Sequence, residues 1–135
     1  MRQAVLDANV LISALLSPSG APARILVAWR DGAFDLVVSP MLLEELARAL
    51  AYPKLRDRIA APDAQAFVVW LQEQAVVVPD PITPAPVRSA DPDDDYLLAL
   101  AAEQSAVLVS GDRHLLAFSD SLPVMTAAAF AAEIA

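Results

Sequence analysis

The sequence predicts an α/β domain in which a parallel β-sheet is flanked by helices. Short apolar segments rich in Val and Leu alternate with longer segments of helical periodicity, which is typical of parallel sheets with helical crossovers. Proline follows Ser39, Ala61 and Asp91, each time at the expected first position of a helix, where its missing N–H costs nothing. The chain has 135 residues, 57% of them hydrophobic, so we expect residues 1–135 to form one domain with one core.

Five short segments are predicted strands and six longer ones are predicted helices. The strands are expected to be buried, because they are short and rich in Val and Leu, and they lie at residues 4–6, 34–38, 75–78, 106–109 and 123–125. The helices are expected at residues 10–16, 22–30, 40–52, 62–74, 92–104 and 126–134. The stretch 79–86 holds four prolines in eight residues and is predicted to be an extended surface loop.

Composition excludes several kinds of chemistry. The chain has no cysteine, which excludes disulfides, thiolate metal sites and cysteine nucleophiles. Its net charge of −8 opposes binding to a phosphate backbone through lysine and arginine, so any chemistry on nucleic acid would have to go through cations. Aspartates outnumber glutamates by twelve to five, and this excess of a poor helix former indicates caps, turns or metal ligands.

The N-terminal region resembles a secretory signal peptide in some of its features. Arg2, the apolar run 10–16 and the small residues 21–23 have the order of such a signal, but Asp7 and Asn9 interrupt the apolar segment. No run approaches the roughly 18 apolar residues that a membrane-spanning helix needs. We therefore expect a cytoplasmic protein that has no membrane partner.

Two aspartates follow predicted strands directly. Asp7 comes after the first strand, and Asp112 comes after the fourth with only Ser110 and Gly111 between. In an open parallel sheet, ligands bind beyond the carboxyl ends of the strands. Both carboxylates are therefore expected at the functional edge of the sheet.

The position of each acid around its predicted helix identifies two further candidate site residues. Glu45 lies on the margin of the apolar stripe of the helix 40–52, whereas Glu44 lies nearly opposite and is expected to be a solvated surface charge. Asp94 stands three residues before Leu97 and continues the buried stripe of its helix, whereas Asp95 points about 100° away.

Each of these acids also has a purely structural explanation. Asp112 could cap a short helix at 113–118, Asp94 could interact with a helix dipole, and Glu45 alone could be a surface residue. Asp7 is harder to explain in this way, because a carboxylate at the end of a buried strand loses hydration. Four acids directed at one edge, with no basic residue between them, would repel one another, and a divalent cation would relieve that repulsion.

Four segments contain the acids just described: VLDANVLISAL at 5–15, SPMLLEEL at 39–46, DPDDD at 91–95 and VSGD at 109–112. In this order they resemble the PIN domain family, and in particular the toxin components of bacterial type II toxin–antitoxin pairs. The resemblance implies the strand order 3-2-1-4-5 and a metal-binding acidic pocket, with Mg²⁺ or Mn²⁺, that serves a ribonuclease cutting single-stranded RNA. It also implies products with 5′-phosphate and 3′-hydroxyl ends, a small antitoxin as partner, and a homodimer.

Carried over residue by residue, the resemblance assigns the family's acidic quartet to Asp7, Glu45, Asp94 and Asp112. Asp7 would be the central ligand, Asp94 and Asp112 would complete the cage, and Glu45 would hold a second metal or orient the attacking water. Whether one or two ions bind is left open by the sequence. Supporting positions fall on Asn9 and on Ser110, where many family members have threonine, and further candidate acids are Asp91 and Asp95.

Other polar residues have weaker claims to a role. His114 is the only histidine and lies two residues after Asp112, but a metal mechanism requires no histidine, so packing or a polar surface is the simpler interpretation. The dense basic cluster of Lys54, Arg56 and Arg58 is equally consistent with a solvated helix face and with contact to RNA.

The two tryptophans, Trp29 and Trp70, have apolar neighbours on their predicted helices, so we interpret both as core or subunit interface. The helix of Trp70 and the alanine-rich tail 127–135 are the candidate surfaces for the implied homodimer.

Proteins of other classes fit the sequence less well. A phosphoacceptor receiver domain needs a lysine after its last strand, and the only lysine is Lys54. A haloacid dehalogenase needs a second aspartate where Asn9 stands, and it also needs a later lysine. A nucleotide cofactor is not expected, because three glycines cannot build a glycine-rich phosphate loop: Gly20, Gly32 and Gly111. A PIN-like fold that only binds a protein or RNA partner, without catalysis, stays as the alternative.

Overall fold

Five parallel strands form one sheet in the computed structural model, which describes residues 2–88 and 94–135. The strands are β1 (Gln3–Leu6), β2 (Asp35–Val38), β3 (Val76–Val77), β4 (Val107–Val109) and β5 (Val124–Met125). Their order across the sheet is β3-β2-β1-β4-β5, which confirms the predicted fold class and the implied strand order. In the register, Ala4 of β1 pairs with Leu36 on one side and with Val107 on the other.

Eight helices flank this sheet within the described ranges. They are α1 (Ala8–Leu16), α2 (Ala21–Arg30), α3 (Pro40–Leu50), α4 (Pro53–Arg56), α5 (Ala61–Gln74), α6 (Asp95–Gln104), α7 (Arg113–Leu116) and α8 (Ala127–Ile134). The helix α6 packs on β1 and β4, whereas α1 packs against α2 and α3. The helix predicted to begin at residue 92 is seen from Asp95, because residues 89–93 lie outside the described part.

The helix predicted over 40–52 is present as α3, but it ends at Leu50, two residues earlier than predicted, and the separate short helix α4 follows from Pro53. Pro53 has no N–H to continue the helical ladder, and its ring disfavours a helical conformation at the preceding residue. Tyr52 accordingly has φ −61° and ψ 139°, which is an extended conformation. The short helix α7, expected only as an alternative explanation of Asp112, is present and ends at Leu116.

The prediction of a buried third strand is also wrong. Val76 and Val77 of β3 are 44% and 45% exposed, whereas the strands β1, β2 and β4 are almost wholly buried. The reason is that β3 lies at the edge of the sheet and pairs only with β2. An apolar run looks the same in the sequence whether its strand is central or at an edge.

The core is closed by aromatic pairs at two places. Phe34 and Phe130 meet edge to face with ring centroids 5.1 Å apart, which fastens α8 next to the start of β2. Trp29 and Trp70 meet with ring centroids 5.0 Å apart; Trp29 is buried in the core and Trp70 is partly buried against it, whereas a role of either in a subunit interface stays a prediction.

No helix in the described residues is both long and apolar enough to cross a membrane alone. Ala8–Leu16 and Ala21–Arg30 satisfy the length and composition criterion only when taken together, with a bend of 97° between them.

Candidate functional site

Asp7 is a buried carboxylate at the junction of β1 and α1, and only 5% of its surface is exposed. Its backbone N–H donates to the carbonyl oxygen of Val109 over 3.0 Å, which joins the end of β1 to the end of β4. Its side chain caps α1, because Oδ1 accepts from the backbone N–H of Asn9 over 3.3 Å. The cap and the strand pairing therefore fix this carboxylate at the edge where the strands end.

Ser110 connects Asp7 to Asp112. The Ser110 hydroxyl is buried, donates to Oδ2 of Asp7 over 2.8 Å, and accepts from the backbone N–H of Asp112 over 3.0 Å. Asn9 also contacts Asp7, but through its backbone N–H, and its side chain is exposed. The two predicted supporting residues thus both lie against Asp7, one through its side chain and one through its main chain.

Asp112 has the structural role that the sequence left open. Its Oδ1 accepts from the backbone N–H of His114 over 2.8 Å and so caps α7. The Nδ1 atom of His114 lies 3.4 Å from the same oxygen, and the imidazole is largely exposed. Capping occupies one oxygen of Asp112, and an ionised carboxylate can accept further contacts on its second oxygen.

Glu45 is held by a residue that sequence reasoning missed. The hydroxyl of Tyr96, on α6, donates to Oε2 of Glu45, on α3. Tyr96 also interacts electrostatically with Asp7 and Asp94, so its hydroxyl lies among three of the four acids of the predicted quartet. Burial, the hydrogen bond to Glu45 and these negative charges all raise the pKa of Tyr96, and the hydroxyl therefore keeps its proton and remains a donor.

Asp94 and Asp95 begin α6. Asp94 is at the N-cap with φ −89° and ψ −11°, and Asp95 is the first helical residue. Both side chains are half-buried. The electrostatic interaction of Asp94 with Tyr96 brings it to the same site as Asp7 and Glu45. Asp91, the remaining candidate, lies outside the described residues.

Electrostatic repulsion is present at the strand ends. Burial raises the pKa of Asp7, hydrogen bonds from Ser110 and Asn9 oppose that shift, and the negative charge of Asp112 adds to it. An ionised Asp7 is therefore costly in this environment. A cation close to Asp7 and Asp112 would reduce that cost.

The donor chemistry of the site fits a hard divalent cation, because carboxylate oxygens are the ligands that Mg²⁺ and Mn²⁺ prefer. The acidic side chains nevertheless lie farther apart than the ligands of a bound ion. Within residues 2–88 and 94–135, no three or more Asp, Glu or His side chains are grouped closely enough to hold an ion. The acids are instead connected through Ser110 and Tyr96.

No periodic pattern in the sequence pointed to Tyr96. It stands two residues after Asp94, which at about 100° per residue lies on another side of the helix, and tyrosine is common in partly buried positions. What identifies Tyr96 is its hydrogen bond to Glu45 on α3, and this contact is a feature of the tertiary structure.

The basic cluster does not form one solvated face. Lys54 and Arg58 are exposed, but Arg56 is half-buried and lines a cavity of about 350 Å³ between α3 and α5. Among the described residues, the Nη1 atom of Arg56 is buried and has no hydrogen-bond partner. Contact of this cluster with RNA therefore stays a prediction for Lys54 and Arg58 above all.

A family model described as PIN domain matches residues 3–114 of this chain. The match includes β1 to β4 and every acid of the predicted quartet. The chain therefore belongs to the PIN domain family, whose members are in general nucleases.

Relatives and solved structures agree with this membership. The chain is 30% identical over 116 residues to the uncharacterized protein MJ1680 of Methanocaldococcus jannaschii, covering 86% of this chain and 74% of that protein. The fold is similar to that of PAE2754 from Pyrobaculum aerophilum, with a TM-score of 0.63 and 15% identity, over 98% of this chain and 89% of that one. It is also similar to a chain in the crystal structure of VapBC2 from Rickettsia felis bound to a DNA fragment from their promoter. There the TM-score is 0.59 and the identity 12%, over 92% of this chain and 96% of that one.

Proposed function

We propose that this protein is a divalent-metal-dependent endoribonuclease that hydrolyses phosphodiester bonds of single-stranded RNA. The observation that carries the proposal is the convergence of buried or half-buried acids at the carboxyl edge of the sheet in a PIN domain. Asp7 and Asp112 meet through Ser110 there, and Tyr96 interacts with Asp7, Asp94 and Glu45. None of the ion pairs in the described residues joins Asp7, Glu45 or Asp112 to an arginine or a lysine.

In this proposal the four acids hold Mg²⁺ or Mn²⁺. Asp7 is the central ligand, because it is the most buried of the quartet and its charge is the least compensated by solvent. Asp94 and Asp112 would also hold the ion, and Glu45 would complete the set or orient the attacking water. A bound divalent ion supplies an activated water and neutralises charge on the phosphate.

The remaining residues of the site act by holding these carboxylates. Ser110 fixes Oδ2 of Asp7 and, through the Asp112 N–H, sets the turn that leads into α7. The backbone of Asn9 fixes Oδ1 of Asp7. Asp95 is the alternative to Asp94 as the metal ligand at the start of α6. Asp94→Asn and Asp95→Asn, made separately, distinguish the two residues. Only the variant that has lost the ligand should fail to cleave RNA.

The experiment is RNA cleavage by purified Asp7→Asn and by its parent, with Mg²⁺ or Mn²⁺ added after treatment with EDTA. Loss of the central ligand should slow cleavage by about 100-fold or more. Asp120→Asn is the matched control, because Asp120 is exposed and follows α7 outside the site. If Asp7→Asn cut RNA at the parent's rate in the same buffer, the assignment of the site would be wrong.

We further propose that residues 1–135 constitute one PIN domain that acts as the toxin of a toxin–antitoxin pair in the cytoplasm. A small antitoxin would be its partner, and the protein would be a homodimer without membrane partner or nucleotide cofactor. The structure of VapBC2 from Rickettsia felis bound to promoter DNA supports this proposal only through the shared fold. Copurification with the product of the adjacent reading frame, followed by measurement of the complex mass, would test it.

A non-catalytic PIN-like module that binds protein or RNA is the second candidate. The observation that favours it is the lack, in the part of the chain that the structure describes, of three acids or histidines grouped closely enough to hold an ion. Titration with Mn²⁺ separates the two candidates. A binding module should take up the ion weakly and release no cut RNA, whereas the proposed nuclease should bind the ion and release cut RNA.

Contact of the basic cluster with RNA is a further part of the proposal. Each lysine or arginine that neutralises a phosphate steepens the salt dependence of binding. Replacing Lys54, Arg56 and Arg58 together by glutamine should make RNA binding less sensitive to salt, and an unchanged salt dependence would exclude the contact.

A further inference from the structure

The contact between Tyr96 and Glu45 joins two helices at the acidic site. Tyr96 is the second residue of α6, Glu45 lies in the middle of α3, and 51 positions separate them in the sequence. The side chains of both are half-buried. A hydrogen bond from a neutral hydroxyl to an ionised carboxylate in such surroundings is stronger than one between two neutral groups.

Glutamate needs such an anchor more than the aspartates do. Its side chain has one more rotatable bond than that of aspartate, so holding its carboxylate in one place costs more conformational entropy. Asp7 and Asp112 are restrained by helix caps and by Ser110. The structure shows one restraint on the Glu45 carboxylate in the described residues, and it is the hydroxyl of Tyr96.

The hydrogen bond from Tyr96 leaves one carboxylate oxygen of Glu45 available for another contact. Tyr96 donates to Oε2, and Oε1 takes no part in that hydrogen bond. A carboxylate accepts about four contacts in all, so the bond to Tyr96 does not exhaust Glu45. The electrostatic interaction of Tyr96 with Asp7 and Asp94 shows that the anchored end of Glu45 is on the side of these acids.

We propose that Tyr96 is a positioning residue, whose hydroxyl holds Glu45 beside Asp7 and Asp94 in the orientation needed to hold a divalent cation. This inference rests on the proposed function. It adds to the acidic quartet a residue that does not touch the ion or the RNA and acts only through Glu45. Phenylalanine would preserve the packing of the ring against the core and would remove only this role.

The test is Mn²⁺ binding in the absence of RNA, measured by isothermal titration calorimetry on the full chain. Four proteins form a double-mutant cycle: the parent, Tyr96→Phe, Glu45→Ala and the double variant. Tyr96→Phe should weaken Mn²⁺ binding by about tenfold, the range found when a partner of a metal ligand is removed. In the Glu45→Ala background the same substitution should have no effect, because the carboxylate that it positions is gone.

Tyr52→Phe is the matched control. Tyr52 is the only other tyrosine, and it is 59% exposed at the start of α4. This variant should bind Mn²⁺ as the parent does. Should Tyr96→Phe not yield folded protein, Glu45→Asp tests the same contact, because it keeps the charge and draws the carboxylate away from the hydroxyl. It should weaken binding to a similar extent.

The outcomes separate this inference from the proposed function. If the parent binds Mn²⁺ and Tyr96→Phe binds it equally well, or loses as much affinity with Glu45 absent as with it present, Tyr96 has no positioning role while the metal site stands. If the parent itself binds no Mn²⁺, the proposed function is overturned, and the positioning role is overturned with it.

Discussion

The hydroxyl of Ser110 lies 2.8 Å from Oδ2 of Asp7, across 103 positions of sequence. This hydrogen bond joins the ends of β1 and β4 and is buried on both sides. The same hydroxyl accepts the backbone N–H of Asp112. One serine thus determines where two of the four predicted acids lie relative to each other.

Ser110→Ala should lower the stability of the protein. The substitution removes one hydrogen bond to Asp7 and leaves the N–H of Asp112 without its acceptor, and groups left in this way cost about 1–3 kcal/mol. Ser110→Thr keeps the hydroxyl and should lose less. Unfolding in urea measures the difference, and an alanine variant as stable as the parent would show that Ser110 is not needed to hold the two strand ends.

Asp7→Asn should raise the stability of the metal-free protein at neutral pH. Because the pKa of Asp7 is raised above its ordinary value of 3.8, the stability that its protonated form contributes is fully present below that value. That stability is lost as the pH rises through the raised pKa. Asparagine stays neutral at every pH and is also a good helix cap, so the gain at pH 7 should be about 0.5–2 kcal/mol.

The pH dependence is the decisive part of this prediction. In EDTA, the advantage of Asp7→Asn over the parent should shrink as the pH falls through the raised pKa of Asp7, and it should be lost below the ordinary value of 3.8. Thermal unfolding of both proteins over this pH range measures it. A variant that is less stable at neutral pH, or an advantage that does not change with pH, would mean that burial of the Asp7 charge is not the cause.

Much of the fold could be predicted from the sequence, because it depends on local patterns. The segments that form β1, β2 and β4 are mainly apolar, and β1 and β2 are followed by residues that cap helices, Asp7 and Ser39. The exposure of β3 could not be predicted, because two consecutive valines such as Val76 and Val77 are equally typical of a central strand. Only the strand order places them at an edge of the sheet. The strand order itself came from the family resemblance.

The site was predictable to the extent that it follows strand ends. Asp7 and Asp112 follow β1 and β4, and these strands pair directly, so the two acids had to be neighbours. Tyr96 was not predictable, because its contact with Glu45 depends on how α3 and α6 are placed around the sheet. Sequence periodicity describes one helix at a time and carries no information about that placement.

Glu45→Gln and Glu44→Gln should separate the site from the surface of the same helix. Glu44 is exposed, whereas Glu45 is half-buried and bonded to Tyr96. We expect Glu45→Gln to reduce metal-dependent RNA cleavage by about 10- to 100-fold, while Glu44→Gln leaves it unchanged. Cleavage rates at saturating Mn²⁺ provide the measurement. Equal losses in both variants would argue for a general effect of charge on α3.

Ser105→Gly should stabilise the protein without affecting cleavage. Ser105 is the C-cap of α6 and has φ 52° and ψ 42°, the left-handed conformation that side chains other than glycine adopt at a cost. Its side chain is exposed, so no packing is lost on replacement. The expected gain is up to about 1 kcal/mol, measured by urea unfolding. Ser105→Ala retains the left-handed strain and should gain nothing, and a glycine variant less stable than this alanine control would contradict the explanation.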